Sequence, residues 1–198
     1  MSRTTIIETQ KLIGKKVKVC GWVHSIRSHG KIIFVDLRDR SGVLQIVATP
    51  ELAKDIKNEY VLEIEGKIQK RPAKMVNPEL ETGEGELGAE NIKILAKAEA
   101  PNMDLKNLKA SLPVLLDYRP LTLRNEKIKS IFKIEEEVIF AFRNILKKLE
   151  FTEFQAPIIV PANAEGGAAV FHIDYYNRDA YLAQSPQLYK QIMVGVFE

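Results

Sequence analysis

Apolar residues over the first hundred positions of this chain recur at every second place, and from residue 126 to 149 they recur at every third or fourth. The first rhythm belongs to half-buried strands and the second to an amphipathic helix. Residues 16–26 carry Val17, Val19, Trp22 and Val23 in a strand pattern whose alternation slips at Gly21, which predicts a bulge there. A turn over 28–31 leads to a second strand, 32–38, and a turn over 39–42 leads to a third, 43–48. Leu52, Ile56 and Tyr60, spaced by four, predict a helix over 50–59. Leu62, Ile64 and Ile68 place a fourth strand at 61–69, and residues 91–96 supply a fifth. Pro72, Pro78, Gly83, Gly85 and Gly88 make 72–88 a long exposed loop between the last two strands. Three strands, a helix and two strands is the order of an OB-fold, a five-stranded Greek-key barrel that often binds single-stranded nucleic acid. Short meandering strands also fit other small barrels.

Such barrels hold single strands by stacking bases on aromatic rings while cations follow the backbone. Phe34 in the second strand is the candidate platform. Arg27, Lys31, Arg71 and Lys74 are candidate phosphate partners, and the Gln45 amide could read a base edge. The pattern is equally compatible with Phe34 in the core and the cations on an ordinary surface.

The second half changes character. Residues 101–113 are polar and without period, and 101–116 reads as a hinge between a first domain, 1–100, and a second, 117–198. Ile128, Ile131, Phe132, Val138, Ile139, Phe142, Ile145, Leu146 and Leu149 define a long helix over 126–149, whose apolar face is expected to pack on a sheet. Residues 151–160 then read as a strand containing Pro157. Near the end, a strand over 180–182 feeds a helix through a turn, with Ser185 as expected N-cap and Pro186 at the first helical position. Gln187, Lys190 and Gln191 then share one face, and Leu188 and Ile192 another. Two amides and an ammonium at a helix start suit a small anionic ligand, or simply a solvated face.

Composition narrows the classes. With 198 residues, 45% apolar and 28% charged, the chain is ordinary for a globular protein of one large or two small domains. It has no membrane-length apolar run and no signal-peptide pattern, so a cytoplasmic protein without membrane partners is expected. One cysteine, Cys20, excludes an intramolecular disulfide, and with three histidines no metal site is expected. The net charge is +3, and its cationic surplus lies in residues 1–100, where 17 Lys and Arg face 14 Asp and Glu. That bias fits a nucleic-acid contact in the first half.

Two segments carry a resemblance. Residues 183–191, Ala-Gln-Ser-Pro-Gln-Leu-Tyr-Lys-Gln, resemble the amino-acid-binding helix of aspartyl-tRNA synthetases, and Ala164-Glu165-Gly166-Gly167-Ala168-Ala169-Val170-Phe171 resembles that family's mobile loop. The resemblance implies that Lys190 neutralises the side-chain carboxylate of aspartate and that Gln187 contacts its backbone groups. Ser185 would line the pocket and Glu165 would pair with the substrate ammonium. Ala169 departs from the polar or acidic residue many relatives carry. Gly21-Trp22-Val23, Arg27 and residues 33–45 resemble the family's anticodon-binding domain. By that similarity Phe34 stacks on an anticodon base, Gln45 contacts the central uracil, Arg27 assists, Glu86 contacts the first base, and Arg71 belongs to the same interface. His24 resembles the residue of members that charge both aspartate and asparagine tRNA.

The helix of 126–149 followed by Pro157 resembles motif 1 of class II synthetases, which implies a homodimer with Pro157 at its interface. Residues 117–124 resemble the entry to the catalytic domain. The sequence stops short of motifs 2 and 3, whose arginines hold ATP. No catalytic residue is therefore expected, and use of ATP and Mg2+ is expected of the full-length enzyme. Without the remaining strands, apolar residues of the long helix would lack cover. The expectation is an OB-fold followed by an incomplete antiparallel-sheet catalytic domain, from an aspartate–tRNA ligase, that is inactive alone. An asparagine–tRNA ligase fragment, disfavoured by Lys190, and a non-catalytic tRNA-binding module are the alternatives.

Overall fold

A computed structural model describes residues 2–99, 103–105, 108–162 and 169–198. The chain divides into two compact units, Met1–Thr122 and Leu123–Glu198. The expected hinge at 101–116 falls partly outside the described residues.

In the first unit, the alternating segments become β1 (Lys16–His29), β2 (Ile32–Asp39), β3 (Gly42–Ala48), β4 (Val61–Lys70) and β5 (Gly85–Ala96), with one helical turn, α1 (Pro50–Ala53), between β3 and β4. They close into a barrel in the order β1-β2-β3-β5-β4, antiparallel except for the short parallel pairing of β3 with β5. This is the OB-fold order. Each strand sends alternate side chains inward, so Val19, Val23, Val35, Leu37, Ile46, Leu62, Ile64 and Leu87 are fully buried. Each such side chain is worth about 1.5–3 kcal/mol.

Gly21 is not the bulge. It pairs in register with Leu62, and inside–outside alternation continues through Val23. The register slips instead between Val23 and Ser25, at His24. Gly21 is required for another reason: a Cβ there would strike the Arg38 carbonyl oxygen, as one on Gly66 would strike that of Gly88. The expected helix over 50–59 is only the turn of α1, capped by Thr49, whose Oγ1 accepts from Leu52 N at 3.4 Å. Ile56 and Tyr60 do turn inward, as their spacing suggested. The chain instead reverses at Glu59, which has a left-handed φ of 67°. Arg38 holds the Glu59 carboxylate at 2.6 and 2.8 Å while its guanidinium lies over the Trp22 ring, 5.6 Å from the centroid.

One end of the barrel is plugged by a segment without strand or helix periodicity. Ile6 is fully buried at the start of a 3-10 turn (Ile7–Leu12), and Thr9 behind it is buried too. Asp39 at the end of β2 fixes this plug, accepting from Ile6 N at 3.1 Å and from Ser41 N and Oγ at 2.7 and 2.6 Å. Burial pushes the Asp39 carboxyl up, but the Ser41 and Ile6 hydrogen bonds and Arg3 outweigh it and hold it below its usual value. After β5, α2 (Leu112–Asp117) and α3 (Arg119–Thr122) are joined by the Thr122 hydroxyl, which donates to Leu115 O at 2.8 Å.

The second unit contains α4 (Glu126–Lys148), β6 (Ile159–Val160), β7 (His172–Asp174), β8 (Asp179–Leu182) and α5 (Gln187–Phe197). Asn125 caps α4, its Oδ1 accepting from Lys127 N at 3.0 Å. The expected strand over 151–160 is extended chain that pairs only at Ile159 and Val160. β8 is central, between β6 and β7, and His172 bonds Asp179 across β7 and β8 at 2.7 Å. The apolar face of α4 does not pack on this sheet. No α4 residue is buried, and Ile131, Val138 and Phe142 stay more than half exposed. Strands of two to four residues are too short to cover a helix of 23. That outcome matches the uncovered face expected of an incomplete sheet.

Two stability measurements check this account. Gly66→Ala should cost about 1–3 kcal/mol in urea unfolding, because the added methyl meets backbone that cannot swing aside. Asp39→Asn should cost about 1–3 kcal/mol at pH 7. A carboxyl depressed in the folded state stabilises above its unfolded pKa, and that contribution is lost as pH falls through the folded value. The gap between wild type and Asp39→Asn should therefore close below about pH 4.

Candidate functional site

The outer face of β1, β2 and β3 is laid out in cross-strand rows. Arg27, Phe34 and Val47 are partners in one row, and Ser25, Asp36 and Gln45 in the next. Closure of β3 against β5 then sets Glu86 beside Gln45, although 41 residues separate them. Glu86 was expected in an exposed loop. It stands instead near the start of β5, because pairing with β4 begins at Gly85 and shortens the loop to 71–84.

These side chains form one polar chain. Ser25 Oγ donates to Asp36 Oδ2 at 2.5 Å, and Arg27 Nη2 donates to Asp36 Oδ1 at 2.9 Å and to Gln45 Oε1 at 3.4 Å. Gln45 Nε2 donates to Glu86 Oε2 at 2.9 Å. Arg71 Nε lies 3.7 Å from the same Glu86 oxygen and donates to Gly85 O at 3.1 Å. The Gln45 amide is thus held by a cation at its oxygen and an anion at its nitrogen. Phe34, half-buried in the adjoining row, supplies an aromatic surface beside it.

Arg71 departs from the role of a surface phosphate partner. Its side chain is 3% exposed, and its Nη2 is buried without a partner among the described residues. Burial draws its pKa below the ordinary arginine value, while Glu86 and Asp36 raise it. Arg71 therefore underpins Glu86 from within. Lys31, in the β1–β2 turn, and Lys74, in the 3-10 turn Ala73–Met75, are exposed as expected, and His24 sits half-buried at the bulge. Sequence reading missed Ser25 and Asp36. The signal was there, since 34, 36 and 38 alternate outward with 45 opposite, but a lone acid between apolar residues carries no label.

In the second unit, β8 delivers the chain to the start of α5, where Ser185, Gln187 and Lys190 are all exposed. Lys190 N donates to Pro186 O at 2.9 Å, which opens the helix with Gln187, Lys190 and Gln191 on one turn. Ser185 is not the cap: Pro186 holds that position and no side chain bonds the helix start. Pro has no side-chain acceptor, so the first amides stay open toward the turn. Gln184 Nε2 donates to Ala169 O at 2.5 Å, tying this turn to the end of the preceding loop. Glu165 lies outside the described residues. Pro157 is exposed in the extended segment before β6.

Among the described residues the ATP and Mg2+ expected of the full-length enzyme find no fitting site. Among the described residues no group of three or more His, Cys, Asp or Glu side chains could hold a metal ion. The start of α5 offers a single lysine to a triphosphate, where several cations are needed. Among the described residues no helix is long and apolar enough to cross a membrane.

Comparison with known proteins matches the chain in two segments. Residues 17–95 match the OB-fold nucleic acid binding domain, and residues 111–198 match the tRNA synthetases class II (D, K and N). An aspartate–tRNA(Asp/Asn) ligase of Dictyoglomus turgidum is 40% identical over 93% of this chain and 33% of its own length. That of Thermus thermophilus is 38% identical over 99% of this chain and 45% of its own. The asparaginyl-tRNA synthetase of Pyrococcus horikoshii, solved with asparaginyl-adenylate, superposes on all of this chain and 46% of its own with a TM-score of 0.86 at 30% identity. The chain thus spans about a third to under a half of these relatives. Behind an OB-fold barrel, residues 111–198 thus belong with the class II tRNA synthetases of the D, K and N group.

Proposed function

We propose that this chain is the anticodon-reading and amino-acid-selecting part of an aspartate–tRNA ligase. The observation that carries the reading is the Gln45 amide, gripped between Arg27 and Glu86 beside Phe34 on the open face of the barrel. A uracil stacked on Phe34 would present its N3–H and O4 to that amide, which can bond both. Glu86 and Arg27 lie within reach of the neighbouring bases, and Lys31 and Lys74 flank the face for phosphates.

At the start of α5, Lys190 would neutralise the side-chain carboxylate of aspartate, Gln187 would bond its backbone groups and Ser185 would line the pocket. Glu165 would take the ammonium. Lys190 favours aspartate over asparagine, because an asparagine side chain offers no charge for an ammonium to neutralise. The full-length enzyme would use ATP and Mg2+ in the cytoplasm as a homodimer, with Pro157 at the interface. The division between barrel domain, hinge at 101–116 and catalytic segment follows the same reading.

The test is filter binding of the 198-residue chain to aspartate tRNA and to its anticodon variants. Phe34→Ala should weaken binding to the cognate anticodon by about tenfold or more, since stacking is worth roughly 1–3 kcal/mol per base. Equal affinity for all anticodons would defeat the reading. The chain alone should support no aspartate-dependent ATP–pyrophosphate exchange, and measurable exchange would show a triphosphate site within it.

A further inference from the structure

Uracil and cytosine differ at their pairing edge by a reversal of polarity. Uracil offers an acceptor at O4 and a donor at N3, and cytosine a donor at N4 and an acceptor at N3. A glutamine amide, with an oxygen at one corner and an NH2 at the other, matches either base depending on which way it is turned. An amide free to flip by a half-turn would therefore read both pyrimidines.

Gln45 is not free to flip. Its Oε1 faces the Arg27 guanidinium at 3.4 Å and its Nε2 faces the Glu86 carboxylate at 2.9 Å. Reversal would set N–H against a cation and oxygen against an anion. Arg27 itself is 59% exposed on its side chain, and such a long side chain adopts many rotamers unless held. What holds it is Asp36, at 2.9 Å, which in turn accepts from Ser25 Oγ. Asp36 is only 16% exposed and occupies the strand position between Ser25 and Gln45 in the cross-strand row, with Arg27 in the next row.

We propose that Asp36, seated by Ser25, is a specificity-determining positioning residue: it fixes Arg27 against the Gln45 oxygen and thereby locks the amide in one polarity. The inference rests on the reading of this face as an anticodon reader. Asp36 touches no base; it acts through Arg27. Its removal therefore changes discrimination between uracil and cytosine more than it changes overall RNA affinity, to which phosphate contacts contribute whichever base is present.

The experiment measures affinities of the 198-residue chain for two stem-loop RNAs that differ only in uracil or cytosine at the central anticodon base. Wild type, Asp36→Asn, Ser25→Ala, Gln45→Ala, Arg27→Ala and the Arg27→Ala/Asp36→Asn pair are compared, with thermal melting as the control for folding. Asp36→Asn should lower the uracil-to-cytosine affinity ratio by about tenfold with little change in melting temperature, as expected for loss of one charge-assisted hydrogen bond. Ser25→Ala should move the ratio the same way by less, and Asp36→Asn should add nothing once Arg27 is gone. A ratio unchanged in both Asp36→Asn and Ser25→Ala, in a protein whose ratio collapses with Gln45→Ala, would overturn the positioning role and leave the anticodon reading intact. A wild type that fails to distinguish the two RNAs would overturn both.

Discussion

The barrel is closed by a narrow seam. β3 and β5 pair in parallel at Ile46 with Leu87 and at Val47 with Gly88, and that contact turns an open sheet into a cylinder with no free edge. The seam depends on tight backbone approach elsewhere: β1 and β4 bend past their neighbours at Gly21 and Gly66, where any side chain would meet a carbonyl oxygen. Inside the cylinder the apolar faces of all five strands meet. Outside it, the same register sets Glu86 against Gln45. A slip of one residue would turn Glu86 toward the core and Leu87 toward water. The core and the polar outer face are two sides of one alignment.

This dependence explains what could be read from the sequence and what could not. Alternation is local, so five strands and their inward residues were evident from Val17, Val35, Leu62 and their partners. Closure is not local. Nothing near Glu86 in the chain says that it begins a strand, since the prolines and glycines around it signal a loop. Only pairing with β4 overrides that signal. Gly21 looked like a bulge because Trp22 interrupts the apolar alternation; its ring lies outside, under the Arg38 guanidinium, where period counting assigns an apolar residue to the core. The one-turn α1 has the same origin: Leu52, Ile56 and Tyr60 keep helical spacing, but Arg38 fastens Glu59 in a left-handed reversal that spacing cannot reveal. A family motif marked Phe34, Gln45 and Lys190 as candidates, and the strand register places Phe34 and Gln45 in adjoining rows of one outer face. Burial was invisible, so Arg71 passed for a surface cation.

The second unit poses the opposite problem. Its helices form where the sequence places them, because caps such as Asn125 and helical period act within a few residues. Amphipathicity says that one face of α4 is to be covered without saying by what. Val138, Phe142, Ile145 and Leu149 are each exposed by more than half. An apolar stripe of that length is stable only against a further layer. The start of α5 differs in kind, since Gln187 and Lys190 are polar and need water or a ligand rather than a core.

One consequence concerns the order in which the protein is made. All five strands of the barrel, its plug at Ile6 and the Asp39 anchor lie ahead of residue 97. A ribosome has therefore delivered every residue of that core before it has translated the first turn of α4. Domains fold as units, N-terminal first, during synthesis. The outer face that carries Phe34 and Gln45 can thus be complete while α4 and α5 are still being translated.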